Sequence, residues 1–263
     1  MSNLRYTIRK NKLEYDDNGI PIRKYSNLDP PGDRDTYEKL QINDPYKGYK
    51  DVVYTPVDMP NIDVDTQQVY DLWDSAALEK DYPGTTFGCE HGSGKVLFLK
   101  HNMFGHPLGD GEWFGWVDKE MPHIKKFIQQ LPFKTIRQCS FVQPTAATVP
   151  HYDEPINMVP YLREGAPCQY RIRWSKVTEP DNEVFFLSRD SGATKIYPVL
   201  PKTTNTFVYD GSVYEHGADR GFNFYDRCQI VISGTIDVPK HHQILEKSIE
   251  KYKEYVIYDK DFR

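Results

Sequence analysis

Short runs of alternating apolar and polar residues dominate the chain from Thr135 onward, and they set the fold class. The clearest span 136–142, 169–174, 184–187, 194–199, 206–209 and 227–234. Alternation at period two marks a strand with one buried face. Turn chemistry separates the runs at Pro180-Asp181-Asn182, Asp190-Ser191-Gly192 and Asp210-Gly211, residues that suit tight or left-handed backbone. Many short strands with even punctuation predict a sandwich or jelly roll. Three stripes at helical spacing accompany them. Val69, Leu72, Trp73 and Ala76 form the first, opening near Asp65 or Thr66. Ile124, Phe127, Ile128 and Leu131 follow Pro122, and Ile244, Leu245, Ile249, Tyr252 and Val256 mark a helix over about 241–255. These helices are expected to pack outside a sheet, with no part in chemistry, so the fold reads as mainly β with flanking helices.

Residues 1–65 lack this periodicity. They are rich in Asp, Asn, Pro, Lys and Tyr, and Pro30-Pro31-Gly32-Asp33 marks a loop. Scattered tyrosines (Tyr6, Tyr15, Tyr25, Tyr37, Tyr46, Tyr49 and Tyr54) favour an extended arm anchored on the body over a free tail. The expected organisation is an N-terminal arm over 1–65 and a single domain over 66–263, with its β core at about 135–237. No internal repeat is visible.

Composition narrows the class. Nineteen Tyr, thirteen Phe and four Trp suit a β core and an aromatic-lined pocket. A net charge of −5 argues against a nucleic-acid scaffold while leaving room for a local basic patch. Cys89, Cys139, Cys168 and Cys228 form no CxxC pair, so neither a zinc knuckle nor a disulfide framework is expected, and the last three read as core thiols. No apolar run approaches the ~18 residues of a membrane span, and the polar start Met1-Ser2-Asn3-Leu4-Arg5 has no secretory h-region. The expectation is a soluble cytoplasmic protein.

Candidate chemistry centres on His151-Tyr152-Asp153. Among eight histidines, His151 is the only one with a carboxylate two residues on. Residues two apart in a strand share a face, so His151 and Asp153, with a second imidazole from His216, can offer one face of an octahedral metal. That ligand set suits Fe(II) and leaves Mn(II) and Zn(II) open; zinc would prefer a closed tetrahedral site or a hydrolytic water. Arg227 stands eleven residues past His216 and opens an apolar strand. A fixed guanidinium there matches the far carboxylate of a dicarboxylate co-substrate. The plain alternatives are a chance HxD turn and a strand-end arginine paired with Asp226.

In these residues (His151, Asp153, His216 and Arg227) the chain resembles the Fe(II)/2-oxoglutarate-dependent oxygenase superfamily, over about residues 136–236. Within it, the stretch from Thr206 to Asp237 looks most like the aspartyl/asparaginyl β-hydroxylase branch. The resemblance implies a double-stranded β-helix (jelly-roll or cupin-like) core, Fe(II) as metal, and 2-oxoglutarate and O₂ as co-substrates. It also implies hydroxylation of an amino acid, free or in a peptide or protein, with release of succinate and CO₂. Many relatives carry Ser or Thr two residues after the arginine to help hold the carboxylate; here that position is Gln229, which can donate instead.

Other residues are weighed beside these. On the strand 169–174, Tyr170, Ile172 and Trp174 alternate with Gln169, Arg171 and Arg173, so one face meets a core and the other solvent or a pocket. Arg171 or Arg173 facing a metal cavity would bind a substrate or co-substrate carboxylate; an exposed face with snorkelling arginines is the alternative. Ser140 and Gln138 are candidate lining residues. The segment 101–116, dense in Gly and aromatics, reads as a lid or as a long anchored connection. Gly92-Ser93-Gly94-Lys95 fails as a phosphate loop, because Cys89 stands where Walker A needs Gly and Val96 where it needs Ser or Thr. His241-His242 reads as a solvated helix start or a cap. The functional alternatives are oxidation of another small metabolite or a nucleobase, a non-catalytic cupin-like metal-binding protein, and a cupin-type metal-dependent hydrolase or isomerase.

Overall fold

A computed structural model of the protein describes residues 6–10, 45–49, 51–73, 88–91, 94–101, 110–144, 148–151, 167–173, 184–187, 194–211, 213–218 and 228–262. Among these, thirteen strands form two antiparallel sheets. In chain order they are β1 (Tyr6–Lys10), β2 (Val52–Pro56), β3 (Gly88–His91), β4 (Gly94–Phe98), β5 (Phe133–Pro144), β6 (Thr148–His151), β7 (Pro167–Arg173), β8 (Val184–Leu187), β9 (Thr194–Pro198), β10 (Thr206–Tyr209), β11 (His216–Ala218), β12 (Gln229–Ile236) and β13 (Ile257–Tyr258). The smaller sheet runs β1-β9-β8-β11-β6, and the larger β13-β2-β10-β7-β12-β5-β4-β3. Four helices accompany them: α1 (Thr66–Trp73), α2 (Gly115–Glu120), α3 (Pro122–Ile128) and α4 (Val238–Lys251). None is long and apolar enough to cross a membrane. Mainly antiparallel β structure with a few helices is what the alternation predicts.

The larger sheet puts its apolar face to the helices. Leu97, Cys139, Phe141, Tyr170, Ile172, Val208, Ile230 and Ile232 are all buried there with Ile124, Ile128 and Leu245 of the helices. β12 is central, paired with β5 on one side and β7 on the other, and seven of its eight residues are buried. The thiols of Cys139 and Cys168 lie in this core unbridged, and burial pushes both far above the ordinary thiol range. They stay protonated and inert, as core thiols do.

The helices start where their caps allow. Asp65 accepts from the Gln67 and Gln68 amides at 2.9 and 3.2 Å, satisfying orphan donors of α1. Pro122 opens α3, whose Ile124, Phe127 and Ile128 are buried. α4 begins three residues earlier than its apolar stripe indicates, because Asp237 caps it through the Lys240 amide and Pro239 occupies its first turn. It ends at Lys251 rather than near residue 255. Ser248 on its buried side accepts from the Asp58 amide at 2.9 Å and ties the helix to the chain leaving β2.

Two expectations change. Residues read as an arm supply sheet: β1 pairs with β9, and β2, buried throughout, pairs with β10. Residues 11–44 lie outside the described residues. The second change concerns His241, which is not solvated but fully buried. Its Nδ1 lies 2.7 Å from the Tyr170 hydroxyl, the Tyr46 ring stands edge-on at 5.5 Å, and its Nε2 has no hydrogen-bond partner among the described residues.

Burial, with His242 alongside, holds His241 down at a pKa of about 3. An unfolded histidine titrates near ~6.5. Between those values the unfolded chain holds the extra proton, so stability is complete above pH ~6.5 and falls as pH falls. At ~1.4 kcal/mol per pH unit per proton, His241 should cost about 2 kcal/mol between pH 6.5 and 5. Urea midpoints across that range should therefore fall less steeply in His241→Gln. Equal slopes would contradict a neutral buried imidazole.

The segment 101–116 also resolves in part. Phe114 and Trp116 are buried, and Lys100 pairs with Asp110 at 2.6 Å while Trp113 bridges back to Lys100. The stretch 110–116 is thus fixed to the body and leads into α2; residues 102–109 lie outside the described residues. Gly94-Lys95 opens β4, with His91 opposite Gly94 in a hairpin pairing, as expected of something other than a phosphate loop.

Candidate metal centre

Antiparallel pairing of two short strands assembles the centre. In the register of β11 against β6, His216 stands directly opposite His151. Directly opposed residues in an antiparallel pair share a face, with Cβ atoms ~4.5–5.5 Å apart. Two histidines sixty-five positions apart in the chain are thereby neighbours on one face of the smaller sheet. The register shifts by one residue before Ala218 meets Thr148, and such bulges recur beside functional sites. Asp153 lies outside the described residues, and His151 is described by its strand position alone. Among the described residues no group of three His, Cys, Asp or Glu stands within reach of one ion.

His216 is 1 % exposed. Its Nδ1 lies 3.0 Å from the Tyr214 carbonyl oxygen. A carbonyl can only accept, so Nδ1 carries a proton, and a neutral ring then keeps its lone pair at Nε2. Backbone carbonyls set the tautomer of metal-ligating histidines in this way. The Tyr209 hydroxyl stands 3.2 Å from Nε2, and the two rings meet edge to face at 4.7 Å. Tyr209 belongs to β10 of the larger sheet, so this contact brings the two sheets together at His216.

The face of the larger sheet that carries Tyr209 is unusual for a sheet interior. Inner faces of packed sheets are normally apolar. Here alternate positions of β7 are Gln169, Arg171 and Arg173, and their register partners on β12 are Ser233, Val231 and Gln229. Ser140 and Gln138 of β5 continue the rows opposite Val231 and Ser233. Side chains bond along the face: Gln138 donates to Ser140 Oγ at 3.3 Å, and Ser233 donates to Gln138 Oε1 at 3.4 Å. Polar groups gathered between sheets suit a liganded cavity better than a dry core.

Arg171 and Gln169 connect this face to His216. Arg171 Nε donates to Gln169 Oε1 at 2.8 Å, and the Tyr209 hydroxyl lies 3.0 Å from the same oxygen, its single proton going either there or to His216 Nε2. The guanidinium lies over the Tyr209 ring, 5.1 Å from its centroid. Arg173, opposite Gln229, has its pKa lowered by burial, a push that Tyr54 opposes. An arginine nonetheless stays charged.

Of the sequence-derived site residues, His151 and His216 stand together in register. Arg171, Arg173, Gln229 and Ser140 share the polar face of the larger sheet; Asp153 and Arg227 lie outside the described residues. Tyr209 and Gln169 were not singled out as site residues. Gln169 was legible as one of the polar positions alternating along β7, whereas Tyr209 reads locally like any aromatic strand residue. No protein-family model matches the chain, and no curated protein is similar to it.

Proposed function

We propose that the chain is a non-haem Fe(II)/2-oxoglutarate-dependent dioxygenase on a double-stranded β-helix, hydroxylating an amino acid, free or within a peptide or protein. The observation that carries this reading is the register that sets His216 opposite His151, two residues before Asp153. Two antiparallel sheets with a polar face between them accord with it.

The donor chemistry fits iron. With its proton on Nδ1, a neutral His216 offers the Nε2 lone pair as a ligand, Asp153 would add a hard carboxylate, and Cys139 and Cys168 are protonated core groups. Imidazole with carboxylate in a three-residue facial set suits Fe(II) with open positions. When bound, iron with 2-oxoglutarate and O₂ supplies the oxidising chemistry, releasing succinate and CO₂ as a substrate carbon is hydroxylated.

The chain's own residues orient and exclude. His151, Asp153 and His216 would hold the metal on one face. The Tyr214 carbonyl keeps the His216 proton on Nδ1 and so keeps the ring aimed. Arg227 would hold the far carboxylate of 2-oxoglutarate, with Gln229 donating beside it. Burial of His216 and Tyr209 keeps bulk water from that end of the site.

Fe(II)-dependent release of succinate from 2-oxoglutarate tests the reading. Arg227→Ala should raise the 2-oxoglutarate requirement roughly ten- to hundredfold, the range for losing a charged hydrogen bond, with iron binding retained. An unchanged requirement would move that role to another cation, Arg173 first. No succinate from protein that binds iron would favour a non-catalytic binding protein.

A further inference from the structure

We infer that the Tyr209 hydroxyl is a hydrogen-bond switch beside the metal centre: it competes with metal for the Nε2 lone pair of His216, and Gln169 receives its proton when metal takes that nitrogen. This deepens the oxygenase reading and rests on its assignment of His216 as a ligand.

One proton stands between two acceptors. The Tyr209 hydroxyl lies 3.2 Å from His216 Nε2 and 3.0 Å from Gln169 Oε1. With the Nδ1 proton held at the Tyr214 carbonyl, a neutral His216 ring can only accept at Nε2. Gln169 is held as an acceptor too, because Arg171 Nε donates to the same Oε1 at 2.8 Å. A phenol carries a single proton, so it serves one of these acceptors at a time.

A lone pair cannot serve a phenol proton and a metal together. Metal binding at His216 therefore displaces the Tyr209 hydrogen bond, and with no second acceptor that loss would subtract from affinity. Gln169 Oε1 offsets it, because the hydroxyl can turn there. The proton stays on the phenol oxygen throughout, and only its acceptor changes.

The ring is held in place, so the exchange needs only rotation about the phenol C–O bond. Tyr209 is buried. Backbone pairing sets it opposite Tyr54 of β2, Phe207 stacks beside it at 6.2 Å, and the Arg171 guanidinium lies over it. Its edge-to-face contact with the His216 ring keeps the hydroxyl beside Nε2. Tyr209 and Gln169 thus act as positioning residues, one steadying His216 and the other receiving the bond that metal binding displaces.

A double-mutant cycle on the full chain tests this, with anaerobic Fe(II) and Zn(II) as separate probes. Gln169→Met removes the second acceptor, so metal affinity should fall roughly three- to tenfold. Tyr209→Phe alone keeps the ring and should hold affinity within about threefold of the wild type. Adding Tyr209→Phe to Gln169→Met should restore the loss, since no phenol proton then competes for Nε2. A packing role for Gln169 alone predicts instead that the double variant stays as weak as Gln169→Met, and that result overturns the proposal. It is also overturned if Tyr209→Phe alone loses more than about tenfold, which would make the phenol oxygen a ligand, or if the folded wild type binds neither metal.

A second measurement needs no Gln169 variant. In nitrogen NMR of histidine-labelled protein with no metal added, Tyr209→Phe should move the His216 Nε2 resonance toward that of a bare lone pair. An unmoved resonance overturns the proposal. The predicted coupling in a chain that releases no succinate would sink the oxygenase reading alone, while succinate release without the coupling would sink this proposal alone.

Discussion

Replacing His216 with alanine is expected to abolish Fe(II) binding while both sheets survive. The side chain is 1 % exposed, with the Tyr214 carbonyl at Nδ1 and the Tyr209 hydroxyl beside Nε2. Losing an outer-shell partner already costs a metal site roughly 10- to 100-fold in affinity, so losing a ligand should cost more. His216→Gln, which keeps volume and polarity, should fold like the wild type and still lose iron. Circular dichroism paired with an iron titration reads both properties. Iron affinity unchanged in a folded variant would remove His216 from the ligand set.

Gly234→Ala should be the most destabilising single-methyl change in the chain's centre. Gly234 sits in β12 where its pairing with β5 shifts register after Ser233. An added Cβ would collide with the Thr135 carbonyl oxygen and come within 3.0 Å of Ile136 Cα. These are backbone atoms and cannot rotate aside, so β5 and β12 must part. Glycine inside a strand often marks such a close backbone approach. The expected loss is about 3 kcal/mol, the upper end of ordinary overpacking, seen as a lower urea midpoint at unchanged slope. A midpoint within error of the wild type would contradict the register of the two central strands.

Particular residues show what the sequence makes legible. Strands 184–187 and 206–209 were read at their observed bounds, because turn residues close both ends. β2 went unread: Val-Val-Tyr-Thr-Pro is buried at every position, so nothing alternates, and a fully buried strand lacks a period-two signal. The start of α4 was misplaced because the polar pair His241-His242 resembles an exposed first turn. The better signal was Asp237 with Pro239, a cap followed by a first-turn proline. That His241 is buried depends on Tyr46 and Tyr170 from distant segments, which no local pattern reports.

The candidate site divides in the same way. Residue types and spacing marked His151 and His216, but their pairing depends on a register between strands far apart in sequence. Alternation along β7 separated Arg171 and Arg173 from Tyr170 and Ile172 without telling which face meets the other sheet. Tyr209 supplies that answer through its contact with His216. Its role is tertiary, and so it was invisible beforehand.

The most direct measurement is an anaerobic titration of the full chain with Fe(II) and 2-oxoglutarate, following the visible metal-to-ligand charge-transfer band, with His151→Ala alongside. A band that forms in the wild type and fails in the variant is the predicted result. Protein that binds metal through His151 and His216 yet forms no band would contradict the oxygenase centre and point to a hydrolase or a binding protein of cupin type.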